Sequence, residues 1–199
     1  MAAPGGWRAW YGGRESIGRG HAMNAATPLF RRLLGDAIDR TPDSVQRLHH
    51  RPGTAVYRGD VTVERGTTLL ARFCGWATAL PRAGEGPIEV EIVADERRER
   101  WTRRVGKHAM RSTLWDADGL LCERLGLVTF GFRVGVEDGV IVWRVVRVRA
   151  LGAFPLPVRA FSGVEAREFE KDGRYRFDVR AALPFAGMLV HYRGALDVP

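Results

Sequence analysis

The chain has 199 residues, 45% of them hydrophobic and 27% charged, and a formal net charge of +8 at pH 7. This length and apolar fraction fit one folded domain with its own core. No run of about 18 apolar residues occurs, which excludes a transmembrane helix. The basic residues are scattered singly, and all except Lys107 and Lys171 are arginine, as a GC-rich genome also favours. The charge therefore does not by itself predict a nucleic-acid-binding protein.

The N-terminal stretch and the cysteines bear on domain organisation and location. Residues 1–25 are rich in Gly and Arg and lack apolar periodicity, so we predict a disordered extension followed by a single domain over residues 26–199. Met23 is a second candidate start. The extension lacks the apolar core of a signal peptide, so we expect a cytoplasmic protein. Cys74 and Cys122 stand far apart among apolar residues, which predicts two buried free thiols and no zinc site.

Helical spacing marks the first elements. The stretches "TPLFRRLLGDAID" and "TPDSVQRLHH" predict two short helices over residues 28–49, capped by Thr27 and Thr41, with a break near Thr41. Alternation predicts a strand over residues 54–64. A third helix follows in "GTTLLARFCGWATALP", placed to cap one mouth of a curved sheet. Its predicted inward face consists of Leu69, Leu70, Phe73, Ala77 and Leu80.

Strands and turns fill the rest of the chain. About nine strands follow Pro87, and the tripeptides ADG, EDG and KDG predict tight hairpin turns between them. Such a long meander twists and has to curl to protect its edges. The predicted fold class is therefore α+β: a long antiparallel meander that forms a strongly curved sheet or partly open barrel, with N-terminal helices packed on it. It is similar to calycin barrels or, alternatively, to helix-grip folds.

Alternation also predicts which side chains point into the barrel. In "RERWTRRV", Trp101 and Val105 carry Glu99 and Arg103 to the inner face, while Arg98, Arg100, Thr102 and Arg104 face water. The same reasoning turns residues of four other strands inwards. The predicted ligand-binding residues are Trp101, Arg103, His108, Met110, Ser112, Arg144, Tyr175 and Tyr192.

An arginine inside a barrel needs a partner, because an unpaired buried charge costs several kcal/mol. Arg103 or Arg144 could pair with an acid, such as Glu99, or could clamp an anionic ligand. The sequence leaves both roles open. The five histidines lie in no metal-binding spacing, and no nucleophile or phosphate-loop motif occurs, so we predict no catalytic residues, no metal and no cofactor.

Five stretches carry a resemblance to an uncharacterised bacterial family, domain of unknown function 4166. They are "LFRRLLGDAIDRTPDSVQRLH", "YRGDVTVERG", "ERWTRRVG", "MRSTLW" and "EAREFEKDGRYRFDVRAALPFAGMLVHYRG", which together span about Thr27 to Val198. The family implies no established activity. Its members are found alone or attached to NAD(P)-dependent dehydrogenase-like domains, which implies an accessory or ligand-handling module with a dehydrogenase-like partner.

The leading functional hypothesis is a non-enzymatic module that binds a small amphiphilic or anionic molecule. An enzyme or enzyme subunit with a helix-grip-like cavity is the second hypothesis, and a convergent pocket with a paired acid and base would favour it. A nucleic-acid-binding protein is the third, favoured by a continuous positive groove with exposed aromatics.

Overall fold

The computed structural model describes residues 27–199, so the predicted disordered extension over residues 1–25 lies outside the described residues. The described residues begin with helix α1 (Leu29–Leu34), a 3-10 turn (Gly35–Arg40) and helix α2 (Asp43–His50). The predicted break near Thr41 is confirmed. The predicted caps are wrong by one residue, because Pro28 and Pro42 occupy the cap positions. The Thr41 hydroxyl instead donates to the carbonyl oxygen of Ile38 and closes the 3-10 turn.

Eleven strands, one further helix and a second 3-10 turn make up the remaining chain. Their bounds are β1 (Gly53–Arg65), α3 (Leu69–Ala77), β2 (Gly84–Ala94), β3 (Arg98–Val105), β4 (His108–Ala117), β5 (Leu120–Leu125), β6 (Val128–Glu137), β7 (Val140–Ala150), β8 (Phe154–Leu156), the 3-10 turn (Val158–Phe161), β9 (Gly163–Lys171), β10 (Arg174–Leu183) and β11 (Gly187–Asp197).

Ten of these strands form a closed antiparallel barrel. Each pairs with its sequence neighbours, except that β7 skips the short β8 to pair with β9, and β1 pairs with β11 to close the ring. Strand β8 pairs with β7 as an extra strand. The predicted α+β class is confirmed in its calycin-like form. The longest helix among residues 27–199 has only nine residues, whereas a helix-grip fold requires a long helix across the sheet.

Three tight hairpin turns have the sequence Asp-Gly, as predicted. In the turn between β6 and β7, Asp138 and Gly139 have φ angles of 49° and 79°. Two consecutive residues with positive φ are the signature of the type I′ turn, whose twist matches that of paired strands. The turns at residues 118–119 and 172–173 repeat this geometry.

The barrel has two different ends. The first, here called the α1 end, is plugged by α1, the 3-10 turn and α2, whose side chains Phe30, Ile38 and Val45 are fully buried in the core. The second, here called the α3 end, carries α3 together with the connections at residues 66–83, 106–107, 126–127, 151–162 and 184–186. Because antiparallel strands alternate in direction, every second connection lies at the same end.

Helix α3 crosses the α3 end, as its predicted capping role requires. At the start of the helix, the Thr68 hydroxyl donates to the carbonyl oxygen of Ala186 at 2.9 Å. At the last residue of the helix, the carbonyl oxygen of Ala77 accepts a hydrogen bond from the backbone N–H of Leu127 at 2.9 Å. Two residues further on, a ring nitrogen of His108 lies 2.9 Å from the carbonyl oxygen of Ala79. The helix is therefore tied to three different turns.

The predicted inward face of α3 is wrong. Leu69 is 82% exposed and Phe73 is 61% exposed, whereas Ala71 and Gly75 are buried. A Cβ at Gly75 would lie 1.7 Å from a guanidinium nitrogen of Arg65, so a larger residue there requires this guanidinium to move. The helix thus packs through its small residues and turns its large apolar ones outwards.

Both cysteines have free thiols, but only Cys122 is buried; Cys74 is half-buried, so its predicted full burial is wrong. Within residues 27–199, no helix combines the length and the apolarity needed to cross a membrane.

Candidate functional site

A narrow cavity lies in the lumen of the barrel. Its volume is about 70 Å³, which is enough room for several water molecules. Most of its wall is apolar and comes from Ile88, Val90, Phe132, Trp143, Val164, Ala166, Phe177, Val179 and Leu196. The lining reaches the protein surface at Glu165 on β9, which is exposed.

Arg103 provides the positive charge in this cavity. The predicted alternation of β3 is confirmed, and its inward face carries the guanidinium into the lumen with only 9% of the residue exposed. One Nη donates to the hydroxyl of Ser112 at 2.9 Å, and the other lies 3.5 Å from an oxygen of Glu123. The guanidinium also stacks 4.8 Å above the ring of Trp101, a cation–π contact. Arg103 is thus paired, but the contact with its carboxylate is long for a charge-assisted hydrogen bond.

Glu168 and His49 form a second buried polar pair. The Nε2 atom of His49 lies 2.5 Å from an oxygen of Glu168, and their side chains are 0% and 5% exposed. The imidazole of His49 stacks on Phe30 at 3.7 Å between ring centres, which fixes its plane. Its Nδ1 atom has no hydrogen-bond partner among residues 27–199. Glu168 faces the cavity, whereas His49 stands behind it on α2.

Two tyrosines complete the polar part of the wall. Burial raises the pKa of Tyr175 well above its ordinary value of 10.0, and the neighbouring charge of Glu168 and a hydrogen bond to it add to this shift. Burial also raises the pKa of Tyr192 to about 12, although the positive charge of Arg103 opposes the shift. Both phenols therefore keep their protons at neutral pH; the proton of Tyr175 is directed to Glu168, whereas Tyr192 can donate a hydrogen bond to a ligand.

A third buried carboxyl group, Glu99, lies between the cavity and the α1 end. It accepts a hydrogen bond from the indole nitrogen of Trp101 at 2.8 Å. Burial raises the pKa of Glu99, while the charge of His49 and the Trp101 hydrogen bond partly oppose this effect. The candidate partner of Arg103 predicted by sequence spacing was Glu99, but Glu123 takes that place.

The structure brings half of the predicted site residues to the cavity. Trp101, Arg103, Tyr175 and Tyr192 line it. Ser112 is reached only through Arg103, and Met110 is buried in the surrounding core. His108 lies at the α3 end against Ala79, outside the cavity lining.

The predicted inward position of Arg144 is wrong. The alternation carried this residue to the inner face together with the valines of β7. However, β7 contains one extra residue, Val146, between the pairs Gly131↔Arg147 and Phe132↔Val145. Such a bulge reverses the alternation beyond it. Trp143 therefore points into the lumen, and Arg144 donates to an oxygen of Glu137 at 2.8 Å on the outside.

Sequence reasoning missed several residues of the site. Glu123 lies on the same face of its strand as Leu121 and Leu125, and Glu168 lies on the same face as Val164 and Ala166. The sequence therefore already indicated that both glutamates point inwards. His49 lies four residues after the buried Val45, on the same helical face. No local pattern could have joined His49 to Glu168, because they are 119 positions apart.

The fold and its lumen define the class of the protein: a calycin-like antiparallel barrel with one end plugged by helices and a polar cluster buried inside. The chain belongs to the family described as Domain of unknown function (DUF4166), whose family model matches residues 42–196. This match confirms the family predicted from the sequence. A comparison with curated proteins gave no match.

Proposed function

We propose that the chain binds a small amphiphilic molecule in the lumen of the barrel. The observation that carries this proposal is the composition of the cavity wall, in which an apolar surface surrounds the polar groups of Arg103, Glu123, Glu168, Tyr175 and Tyr192. A ligand with an apolar body and a polar end satisfies both parts of this wall. Mostly apolar cavities with a few convergent polar groups are the usual form of small-molecule sites.

The charges in the lumen favour a neutral or hydrogen-bonding polar end over an anionic one. Three buried carboxyl groups, Glu99, Glu123 and Glu168, lie around Arg103 and His49. An anion would have to displace Glu123 from Arg103 and would lie near the other carboxylates. The long contact between Arg103 and Glu123 makes this exchange the main route by which an anionic ligand could bind.

Two probes that share one aromatic core test the proposal. N-phenyl-1-naphthylamine is neutral, and 8-anilino-1-naphthalenesulfonate adds a single negative charge; both fluoresce when they leave water. The neutral probe is larger than the cavity of about 70 Å³, so its binding requires side chains of the wall to move. We expect it to bind the wild type, and Ala166→Leu, which fills the cavity, to weaken its binding about tenfold or more. Arg167→Leu on the outer face of the same strand is the matched control.

Equal binding of the neutral probe to the wild type and Ala166→Leu would refute a lumenal site. A strong preference for the sulfonate that disappears in Arg103→Met would assign the site to anionic ligands. Native mass spectrometry of freshly purified protein would then identify the small molecule that it carries.

A second candidate function is proton transfer on the bound molecule, and the His49–Glu168 pair favours it. A carboxylate held by a buried imidazole and facing an apolar cavity has the geometry of a general base with an orienting partner. To test this function, the small molecules released from the native protein are incubated in D2O with freshly purified protein. Deuterium uptake that is lost in Glu168→Gln but kept in Glu123→Gln would support this function, and no uptake would refute it.

We also propose a partner and a location for the chain. A dehydrogenase-like partner is supported by the context in which this family resemblance places the chain. A cytoplasmic location is supported by the two free thiols, since unpaired cysteines are typical of a reducing compartment.

A further inference from the structure

The exposed apolar side chains of the described residues are concentrated at the α3 end. Apart from Val56 on β1, each large hydrophobic side chain that is exposed within residues 27–199 lies on a connection at this end. The most prominent are Phe185 at 93% exposure, Leu69 at 82% and Trp76 at 71%. Apolar surface gathered in this way usually marks an interaction site, whereas single exposed residues do not.

Hydrogen bonds to the backbone join the segments that carry these side chains. Leu127 is bound to the end of α3, and the N–H of Leu151 donates in turn to the carbonyl oxygen of Leu127 at 2.7 Å. On the other side, Thr68 binds the turn that carries Phe185 through Ala186. The segments that carry these exposed apolar side chains, here called the α3-end patch, are therefore joined to one another from the β10–β11 turn across α3 to residue 151 before β8.

The connections at the two ends of the barrel differ in their acidic residues. The five connections at the α3 end contain Arg72, Arg82, Lys107 and Arg159 and neither Asp nor Glu, and these four basic side chains are exposed. The turns at the α1 end instead carry acidic residues, which include Asp95, Asp118, Asp138 and Asp172. The apolar surface thus coincides with the most purely basic part of the described chain.

We propose that the α3 end docks on a lipid bilayer surface that carries anionic head groups. Phe73, Trp76 and Phe185 enter the boundary between head groups and acyl chains, and the basic residues around them contact the head-group charges. Aromatic side chains favour this boundary, and each basic residue near an anionic surface adds to the attraction.

The composition of the patch distinguishes a bilayer from other partners. Single-stranded nucleic acid stacks on aromatic rings, but Leu69, Leu127 and Leu151 offer it no such platform. The apolar side chains stand on a helix and on separate turns at the end of the barrel, which suits insertion into a plane. This proposal does not depend on ligand binding in the lumen.

Vesicle co-sedimentation of the full chain tests the proposal. We expect binding to phosphatidylcholine vesicles with about 30% phosphatidylglycerol at about 0.1 M salt, and at least about tenfold weaker binding to pure phosphatidylcholine or at about 0.5 M salt. Phe185→Ser should lower the partition coefficient about tenfold. Val56→Ser, which removes an exposed apolar side chain from the barrel wall, is the matched control and should bind as the wild type does.

The basic residues have their own matched pair. Arg72→Gln combined with Lys107→Gln should weaken binding to the mixed vesicles more than Arg100→Gln combined with Arg111→Gln, which removes the same charge from the barrel wall. If both double variants lose the same amount of vesicle binding, the binding depends only on the net charge of the protein and not on the α3 end, and the proposal is overturned.

Three further results would overturn it. The first is the absence of binding to the mixed vesicles. The second is a self-associated wild type that Phe185→Ser converts to a monomer without any change in vesicle binding, which would make the patch an interface between copies of the chain. The third is tight binding of a thymidine oligonucleotide that Phe185→Ser abolishes while vesicle binding stays unchanged.

Discussion

Replacing Arg103 by Met should lower the free energy of unfolding by about 3 kcal/mol, because it leaves the carboxylate of Glu123 buried without a partner. The two side chains are 10% and 11% exposed, and their charged atoms lie 3.5 Å apart. At an effective dielectric constant of about 20, this separation corresponds to a gross attraction of about 5 kcal/mol. The contacts with Ser112 and Trp101 add about 1 kcal/mol each. Removing the guanidinium also removes the cost of burying its charge, which offsets more than half of these gross contributions and leaves the net loss of about 3 kcal/mol.

A double-mutant cycle isolates the pair. Arg103→Met and Glu123→Met should each destabilise the protein, whereas the double variant should return to within about 1 kcal/mol of the wild type, since well-packed apolar residues replace a buried ion pair at little cost. Urea unfolding followed by far-ultraviolet circular dichroism at neutral pH measures each free energy. Arg100→Met on the outer face of the same strand is the control and should cost less than about 0.5 kcal/mol.

The cycle also decides the role of Arg103. If Arg103→Met is as stable as the wild type, the reasoning from a structural pair is refuted, and the guanidinium is held ready for an anionic ligand. The same variant should then lose the sulfonate probe while it keeps the neutral one.

Three other outcomes follow from the structure. Trp101→Ala should cost about 3–5 kcal/mol in urea unfolding, and a cost below about 1 kcal/mol would mean that the indole is not buried. Burial raises the pKa of Glu99 above its ordinary 4.5, so the folded state holds this proton more tightly and loses stability as the pH rises above that value. The stability of Glu99→Gln relative to the wild type should therefore increase from about pH 4 to pH 7, and a constant difference would contradict the raised pKa. Gly59→Ala would place a methyl group 1.8 Å from the carbonyl oxygen of Ala195 and should lower the melting temperature strongly, whereas Gly135→Ala meets nothing within 4 Å and should not.

The strands were predictable because each is a short alternating run bounded by a turn with its own chemistry. Asp-Gly pairs fix three hairpins locally, so the pairings β4–β5, β6–β7 and β9–β10 follow from the sequence. The closure of the ring was harder to predict from the sequence, because it joins β1 to β11, which are far apart along the chain. The prediction therefore left the choice between a curved sheet and a barrel open.

The errors have two physical causes. The bulge at Val146 reverses the faces of β7 without a sequence signal as clear as a turn, and this misplaced Arg144. The apolar stripe of α3 was assigned to the core because the hydrophobic pattern does not distinguish a buried face from an exposed one. Leu69 and Phe73 occupy the positions of core residues but face outwards.

The closure of the barrel also constrains how the chain can be made. Arg58 on β1 pairs with Asp197 at the end of β11, so the ring stays open until β11, the last strand of the described residues, has been synthesised. Until then β1 presents an unpaired edge, and the segments that form the plug have no finished lumen to enter. Contacts between such distant parts of a sequence slow folding and expose intermediates to aggregation. Synthesis in the cell should therefore depend on chaperones more than that of a helical protein of equal length.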